Sequence, residues 1–187
     1  MPDRATDATE APSLRSHRGA ELHLSGPALV ELMRAVLAKG ASFRFCAKGW
    51  SMAPFIRDGD VITVAPPRDS NGAPSAHPAS VPVPTRSCFT GQVVAFISPA
   101  SGRLVVHRIV GRRGSSFLVQ GDSVRGAGID VVGREDMLGR VVGIKRGGRS
   151  VWLGLGPERY AIAALSRAGL LLPVVVRAGV IARFLRG

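Results

Sequence analysis

The sequence predicts a mainly β domain with a coiled or barrel-like core, one helix ahead of the strands and a helical tail after them. Apolar residues at helical spacing precede the first strand signal, and short β-type runs separated by glycine turns fill the middle of the chain. With 187 residues, of which 45% are apolar, the chain can bury one compact core. We therefore divide it into a flexible arm (1–24), a core (25–150) and a tail (151–187).

The first predicted element is a helix over residues 27–39. Ser25 is a candidate N-cap, Pro27 stands in the first turn and Gly40 ends the periodic segment. The apolar positions between them recur at helical spacing, and they are Leu29, Leu32, Met33, Val36 and Leu37. Together these signals predict a helix with a defined start and end.

Six strands are predicted after this helix. Phe43 and Phe45 alternate with two other side chains, which is typical of a half-buried strand, and glycines divide the later apolar runs. The predicted strands are residues 43–46, 61–64, 93–97, 104–110, 117–120 and 138–144. Between the second and the third, residues 66–88 carry six prolines and almost no large apolar side chain, which predicts a loop insertion.

The end of the chain, residues 157–187, is apolar and studded with arginines, and Pro173 interrupts it. The arginines fall on several helix faces, so the segment has no clean amphipathic stripe. Two main interpretations stay open. Either two short helices cover the β core, or the segment contacts a membrane surface, with arginines at the phosphates and leucines at the acyl boundary.

The positive charge of the chain indicates either an anionic binding partner or a surface whose charge serves only to keep the protein soluble. The formal net charge is +12, and residues 137–187 hold nine basic side chains against one acid, Glu158. An anionic membrane surface, reached through the tail 157–187, and a nucleic acid both fit this charge. We find no helix-turn-helix pattern, which disfavours nucleic acid.

Two further absences in the sequence narrow the function classes. Residues 1–24 lack the apolar segment of a secretory signal, and no uncharged apolar run reaches the roughly 18 residues of a spanning helix. We therefore expect a cytoplasmic protein, with peripheral membrane contact left open. Cys46 and Cys88 are too few for a disulfide scaffold or a four-ligand zinc site, and we expect no metal and no cofactor.

A candidate nucleophile stands in the segment Lys48-Gly-Trp-Ser-Met-Ala-Pro54, between two strand signals. A serine on such a tight turn can expose its hydroxyl, and its own N–H can face a developing oxyanion. Serines are also common turn formers, so Ser51 alone is a weak signal.

A candidate base follows in Leu104-Val-Val-His-Arg-Ile-Val110, an otherwise apolar strand. The imidazole of His107 is suited to accept a serine proton near neutral pH, although a structural histidine at a sheet edge would look the same. Asp122, just past a strand, or Asp130 could orient the ring. Asp122 could equally cap a turn.

Five motifs follow one another over about residues 42–145. The first is Gly49-Trp-Ser-Met-Ala-Pro54, with Arg57-Asp-Gly-Asp-Val61 after it. The others are Gly91-Gln-Val-Val-Ala-Phe96, Val106-His-Arg-Ile109, Gly121-Asp122 with Asp130 after it, and Leu138-Gly-Arg-Val-Val-Gly-Ile144. In content and order these motifs resemble the signal peptidase I and SOS-repressor superfamily of serine peptidases, and the first is similar to its Ser-Met-x-Pro box and the following Gly-Asp.

The resemblance implies a signal-peptidase-type β core with Ser51 as nucleophile. His107 stands where the bacterial enzymes and SOS repressors use lysine, as in the archaeal and endoplasmic-reticulum branch. By the same resemblance Asp122 is favoured as the residue that orients the ring, and Asp130 is kept as a second candidate. The residues implied on the substrate and oxyanion side are Gly49, Trp50, Met52 and Pro54.

The sequence also departs from this superfamily. Gln92 replaces its usual aspartate, and Gly49 stands where the bacterial enzymes often carry a hydroxyl that completes the oxyanion hole. An N-terminal membrane anchor is not expected, and the insertion 66–88 has no counterpart in a minimal core.

The function expected from the residues and the resemblance is that of a serine endopeptidase. It would cleave a leader, a signal segment or another extended peptide that adds to the core as an edge strand. The alternatives are a non-catalytic peptide-binding module on the same core, and a self-cleaving or DNA-linked regulator.

Overall fold

The computed structural model describes residues 26–66, 89–123 and 128–171. The predicted arm 1–24, nearly all of the insertion 66–88 and the tail beyond residue 171 therefore lie outside the described residues. The statements below concern the described ranges.

Strands dominate the described chain, and the prediction of a mainly β protein is confirmed. Helix α1 (Gly26–Ala38) precedes the strands and helix α2 (Arg159–Arg167) follows them. The strands are β1 (Phe43–Cys46), β2 (Val61–Ala65), β3 (Val93–Ile97), β4 (Leu104–Arg113), β5 (Ser116–Gln120), β6 (Asp130–Val132), β7 (Met137–Arg146) and β8 (Arg149–Val151).

The strands form one antiparallel sheet in the order β1-β2-β7-β3-β4-β5-β6, with β8 paired to β7. The end strands β1 and β6 do not pair with each other, so the sheet is not closed into a barrel. Its register shifts in three places: between Thr63 and Val64, between Ala95 and Phe96, and between Ile109 and Gly111. Such irregularities bend strands and increase their twist, which favours a curled sheet over a flat one.

Both faces of the central strand β3 are buried, because the sheet has a hydrophobic core on each side. Val93 and Ala95 belong to the core that contains Met33 of α1. The alternate residues Val94 and Phe96 belong to the other core. This second core is completed by side chains from β4, β5, β6 and β7, namely Ile109, Phe117, Val119, Val132 and Met137.

Helix α1 lies within one residue of its predicted bounds at both ends. Its apolar spacing buries Met33 and Leu37 against the sheet, as expected for an amphipathic surface helix. The helix ends before Gly40, whose φ of 77° is a left-handed conformation that favours glycine.

The short strands β6 and β8 are missing from the sequence prediction. Each has three residues, which is too few to display an alternating pattern. Four predicted strands also prove longer than expected: β2 and β5 by one residue each, and β4 and β7 by three, since β4 continues to Arg113 and β7 to Arg146. The added C-terminal ends of β4 and β7 carry exposed or half-buried charged residues that periodicity does not reveal.

The described part of the tail contains one helix, α2, and the remainder of the predicted helix pair lies outside the described residues. Ile162 and Leu165 pack with Phe55 and Leu171 in a small cluster of their own. Within the described ranges, no helix has the length and apolar character needed to cross a membrane. The membrane-surface interpretation of the tail stays a prediction.

Candidate active site

Ser51 lies on a loop of residues 47–60, here called the serine loop, which connects β1 and β2. The two ends of the loop are joined by backbone hydrogen bonds between Ala47 N and Asp60 O (2.7 Å) and between Gly59 N and Ala47 O (2.9 Å). Gly49 has a φ of 93° and donates its N–H to Asp58 Oδ1 over 2.8 Å. These hydrogen bonds fix the conformation of the residues that precede Ser51. Ser51 itself is exposed.

An ion pair between buried Asp60 and half-buried Arg146 attaches the serine loop to β7. Asp60 is 2% exposed, and Arg146 donates from Nε to its Oδ1 and from Nη2 to its Oδ2, over 2.8 and 2.7 Å. Arg146 Nη2 also reaches the carbonyl of Phe55. Burial raises the pKa of Asp60, but the hydrogen bonds from Arg146 and from the Arg57 N–H outweigh it, so this pKa lies below its ordinary value.

The other residues predicted on the substrate and oxyanion side divide into two groups. Gly49 and Met52 line the groove described below, and Met52 is buried. Trp50 and Pro54 are not part of its lining. Trp50 is 67% exposed, and Pro54 is half-buried with its carbonyl accepting a 3.3 Å hydrogen bond from Arg57 Nε. Among the described residues, the backbone N–H of Ser51 makes no hydrogen bond, so it stays a candidate donor to an oxyanion.

His107 lies on β4 opposite Val94 of β3, and only 8% of it is exposed. Its ring packs at 6.0 Å between centroids from the ring of Phe96. Nδ1 lies 3.7 Å from Asp130 Oδ2, is buried and makes no hydrogen bond to any described residue. The opposite ring nitrogen, Nε2, is the one left to receive a proton from a nucleophile.

The surroundings of His107 favour the neutral imidazole. Burial lowers the pKa of His107, while the carboxylates of Asp130 and Asp122 act in the opposite sense without reversing the change. At neutral pH the ring is therefore in the form that a general base requires.

Asp122 forms a fully buried ion pair with Arg108. The guanidinium donates from Nε to Oδ1 over 2.9 Å and from Nη2 to Oδ2 over 2.7 Å. Its Nη1 donates to the carbonyls of Gly91 and Gly154, each over 2.8 Å. Burial raises the pKa of the Asp122 carboxyl, but a bidentate arginine, which is always protonated, keeps the pair ionic near neutral pH.

Of the two aspartates predicted to orient His107, the structure therefore brings Asp130 to Nδ1 and places Asp122 on Arg108. The resemblance favours Asp122, and the geometry favours Asp130. Neighbouring side chains on a strand point to opposite faces, so the partner of Arg108 is poorly placed to hydrogen-bond the adjacent His107.

The serine loop and β4, the strand that carries His107, are linked through the segment after β5. Ser123 donates its N–H to the carbonyl of Ser51 over 2.8 Å. Ser123 directly follows Asp122, whose carboxylate is held by Arg108 of β4. Within the described chain the Ser51 hydroxyl and the His107 ring are not hydrogen-bonded to each other, and such contacts often tighten only when substrate binds.

A groove of about 720 Å³ opens at Ser51. One wall is formed by the start of α1, another by the end of β1 with residues 47–49, and another by residues 101–106 at the start of β4. Met52 and Ile56 are its buried floor. Three strands separate β1 from β4 in the sheet order, so the sheet must curl for both strands to line one groove.

Strand backbone with an unpaired edge lies on two sides of this groove. In the described chain β1 pairs only with β2. The pairing of β4 with β5 begins at Arg108, so residues 104–107 pair with β3 alone. Unpaired strand edges of this kind can bind an extended peptide through main-chain hydrogen bonds.

Sequence reasoning missed the positioning roles of Arg108 and of the Asp60–Arg146 pair. An arginine inside the apolar run of β4 is the signal that could have identified Arg108, because a buried guanidinium needs a carboxylate. Asp60 and Arg146 are 86 residues apart in the chain, and nothing local connects them.

Within the described ranges, no group of three or more histidine, cysteine, aspartate or glutamate side chains could hold a metal ion. No protein-family model matches the chain, and neither a curated protein nor a solved structure does. The likeness to signal peptidases therefore depends on the five motifs alone.

Proposed function

We propose that this protein is a serine endopeptidase in which Ser51 is the nucleophile and His107 the general base. The observation that supports the proposal is an exposed serine in the lining of a groove whose opposite wall includes residues 104–106 of β4, the strand that continues into His107. His107 itself is buried, has a lowered pKa and does not belong to the groove lining, so catalysis requires its ring to reach Ser51 when substrate binds. A carboxylate at Nδ1 of that histidine supports the same conclusion.

The reaction follows from these positions. His107 Nε2 takes the proton of the Ser51 hydroxyl as Oγ bonds to the scissile carbonyl carbon, and the N–H of Ser51 donates to the resulting oxyanion. Asp130 stabilises the imidazolium. The imidazolium then protonates the leaving amine as the C–N bond breaks, and water, deprotonated by His107, hydrolyses the ester and frees Ser51.

The substrate class that fits the groove is an extended peptide. The unpaired edges of β1 and of residues 104–107 supply main-chain donors and acceptors on two sides. Apolar lining between them leaves room for side chains that alternate along a bound strand.

Mass-spectrometric cleavage profiling of a peptide library tests the proposal. We expect the wild-type protein to cut, and Ser51→Ala and His107→Ala each to lower kcat/KM by at least about 10³-fold. Ser150→Ala, which changes an exposed serine on β8, is the matched control and should cut as the wild type does. Cuts that persist in Ser51→Ala would mean that another residue is the nucleophile.

A second function, a peptide-binding module without catalysis, is favoured by one observation: the Ser51 hydroxyl and the His107 ring are not hydrogen-bonded to each other. This function predicts that the wild type binds library peptides without cutting any of them. The two functions are separated by measuring binding and cleavage on the same library.

A further inference from the structure

The groove at Ser51 carries cations and no carboxylate. Lys48 is exposed on the wall that follows β1, and Arg103 is exposed on the wall that precedes β4. The rest of the described lining is uncharged and mostly apolar. The charged part of the groove therefore has one sign only.

Neither of these cations has an acidic partner within the described chain. The described ion pairs involve His107, Arg108 and Arg146. The nearest acid in sequence to Lys48 is Asp58, whose Oδ1 accepts the N–H of Gly49. Arg108 and Arg146 each hold a carboxylate and stabilise the fold, whereas Lys48 and Arg103 make no ion pair with any described residue and border the groove.

We infer that the groove selects acidic peptides, with an apolar side chain against Met52 and Ile56 and an aspartate or glutamate side chain near Lys48 and Arg103. This rests on the proposed function for the cleavage reaction, although the charge selection itself acts at binding. A peptide is favoured over other anions because the strand edges beside the cations offer main-chain hydrogen bonds.

The expected size of the effect is modest. Both cations are exposed, and each exposed charge pair contributes a factor of up to about five. Two such pairs at full strength would multiply to a preference of roughly 25-fold. One carboxylate cannot have ideal geometry with both cations, so we expect about fivefold to tenfold, and the preference should shrink as salt is added.

Two dodecapeptide libraries test this inference, one with a fixed central Asp and one with a fixed central Asn. We expect the wild type to cleave the Asp library with about fivefold to tenfold higher kcat/KM at low salt. Lys48→Gln/Arg103→Gln should remove the preference. Lys48→Glu/Arg103→Glu should invert it, so that a library with a fixed central Lys is cleaved best.

A matched control uses the same two changes away from the groove. Lys145→Glu/Arg149→Glu alters one exposed lysine and one exposed arginine on β7 and β8 and gives the same net charge. It should keep the preference for Asp. Equal loss of preference in this variant would assign the effect to overall charge and overturn the inference.

A binding measurement separates this inference from the proposed function. Cys46 is exposed and lines the groove, and Cys88→Ser leaves it as the sole thiol. We expect the Asp library to slow alkylation of Cys46 more than the Asn library, whether or not peptides are cut. Cleavage without charge preference would overturn the inference and leave the peptidase standing. Stronger protection of Cys46 by the Asp library without any cleavage would support the charge selection and contradict the proposed peptidase activity. Equal protection of Cys46 by the two libraries would overturn the inference.

Discussion

At the scale of single residues, the surroundings of His107 decide how the site responds to pH. Burial holds its pKa below the ordinary value of 6.5, and Asp130 and Asp122 act against that change. A general base must be neutral, so activity is lost as pH falls through the pKa of His107. We expect the acid limb of the kcat/KM profile of the wild type to have its midpoint below pH 6.5.

Asp130→Asn should move that midpoint to still lower pH, because the carboxylate that favours the imidazolium is gone. The same change should lower kcat, by less than the roughly 10⁴-fold loss known for a hydrogen-bonded orienting aspartate. The smaller loss is expected because Asp130 is 46% exposed and lies 3.7 Å from Nδ1.

The measurement is a pH profile of kcat/KM from pH 4 to 9 for the wild type, Asp130→Asn and Glu135→Gln. Glu135 is an exposed acid just beyond β6 and makes no ion pair within the described ranges, so its replacement should leave the midpoint in place. An unchanged midpoint in Asp130→Asn would show that this carboxylate does not act on His107.

The sequence alone does not decide which of the two aspartates, Asp122 or Asp130, lies beside His107. The candidates Ser51 and His107 are predicted from their motifs alone. The role of Asp122 depends on register, because β5 pairs Gln120 with Arg108 and thereby brings the carboxylate two residues further on within reach of the guanidinium. Register is a property of two strands together, and neither strand sequence alone reveals it.

At the scale of elements, the serine loop depends on a residue outside itself. Asp60→Asn should destabilise the protein by about 2 kcal/mol at pH 7, since it weakens two charge-assisted hydrogen bonds to Arg146. The folded-state pKa of Asp60 is lowered, so its contribution is present above the ordinary value of 3.8 and lost as pH falls below it.

Urea unfolding at several pH values measures this contribution. The gap in unfolding free energy between wild type and Asp60→Asn should close as the pH is lowered below 3.8. Asp58→Asn is the control, because Asp58 is exposed and accepts a single hydrogen bond from Gly49; we expect less than about 1 kcal/mol there. A gap independent of pH would assign the loss to packing.

Elements differ in how far sequence predicts them. Helix α1 could be located because apolar residues recur at helical spacing within its 13 residues, and strand β3 because five consecutive residues are apolar. Strands β6 and β8 form only because a neighbour supplies their hydrogen bonds, through Val132 paired with Phe117 and Val151 paired with Ile144. Their existence is a tertiary effect, as is the closeness of β1 and β4 across the groove.

At the scale of the whole molecule, Arg108 connects segments of the fold that are distant in sequence. Its guanidinium holds Asp122 and the carbonyls of Gly91 and Gly154, so it joins β4 to three segments distant in sequence. Arg108→Met would leave Asp122 buried without a partner. We expect a loss of about 3–5 kcal/mol in unfolding free energy at pH 7.

A double-mutant cycle, followed by urea unfolding, measures the interaction free energy between Arg108 and Asp122. Arg108→Met/Asp122→Leu should recover part of the loss, because no unpaired charge remains buried. The single variant Arg108→Met should also be less impaired in mild acid, where a lone buried carboxyl takes up a proton. Additive losses in the double variant would show that the two side chains do not act as a pair.

Both tryptophans of the chain lie largely in water, with Trp50 67% and Trp152 78% exposed. Their emission maximum in the native protein should lie close to that of the unfolded chain. The emission wavelength is therefore a poor reporter of unfolding, and circular dichroism is a better one. Trp50 adjoins Ser51, however. With Trp152→Phe it becomes the sole tryptophan, excited selectively at about 295 nm and so apart from Tyr160. Shielding of Trp50 from a neutral quencher such as acrylamide would then reveal occupancy around the serine without any attached dye.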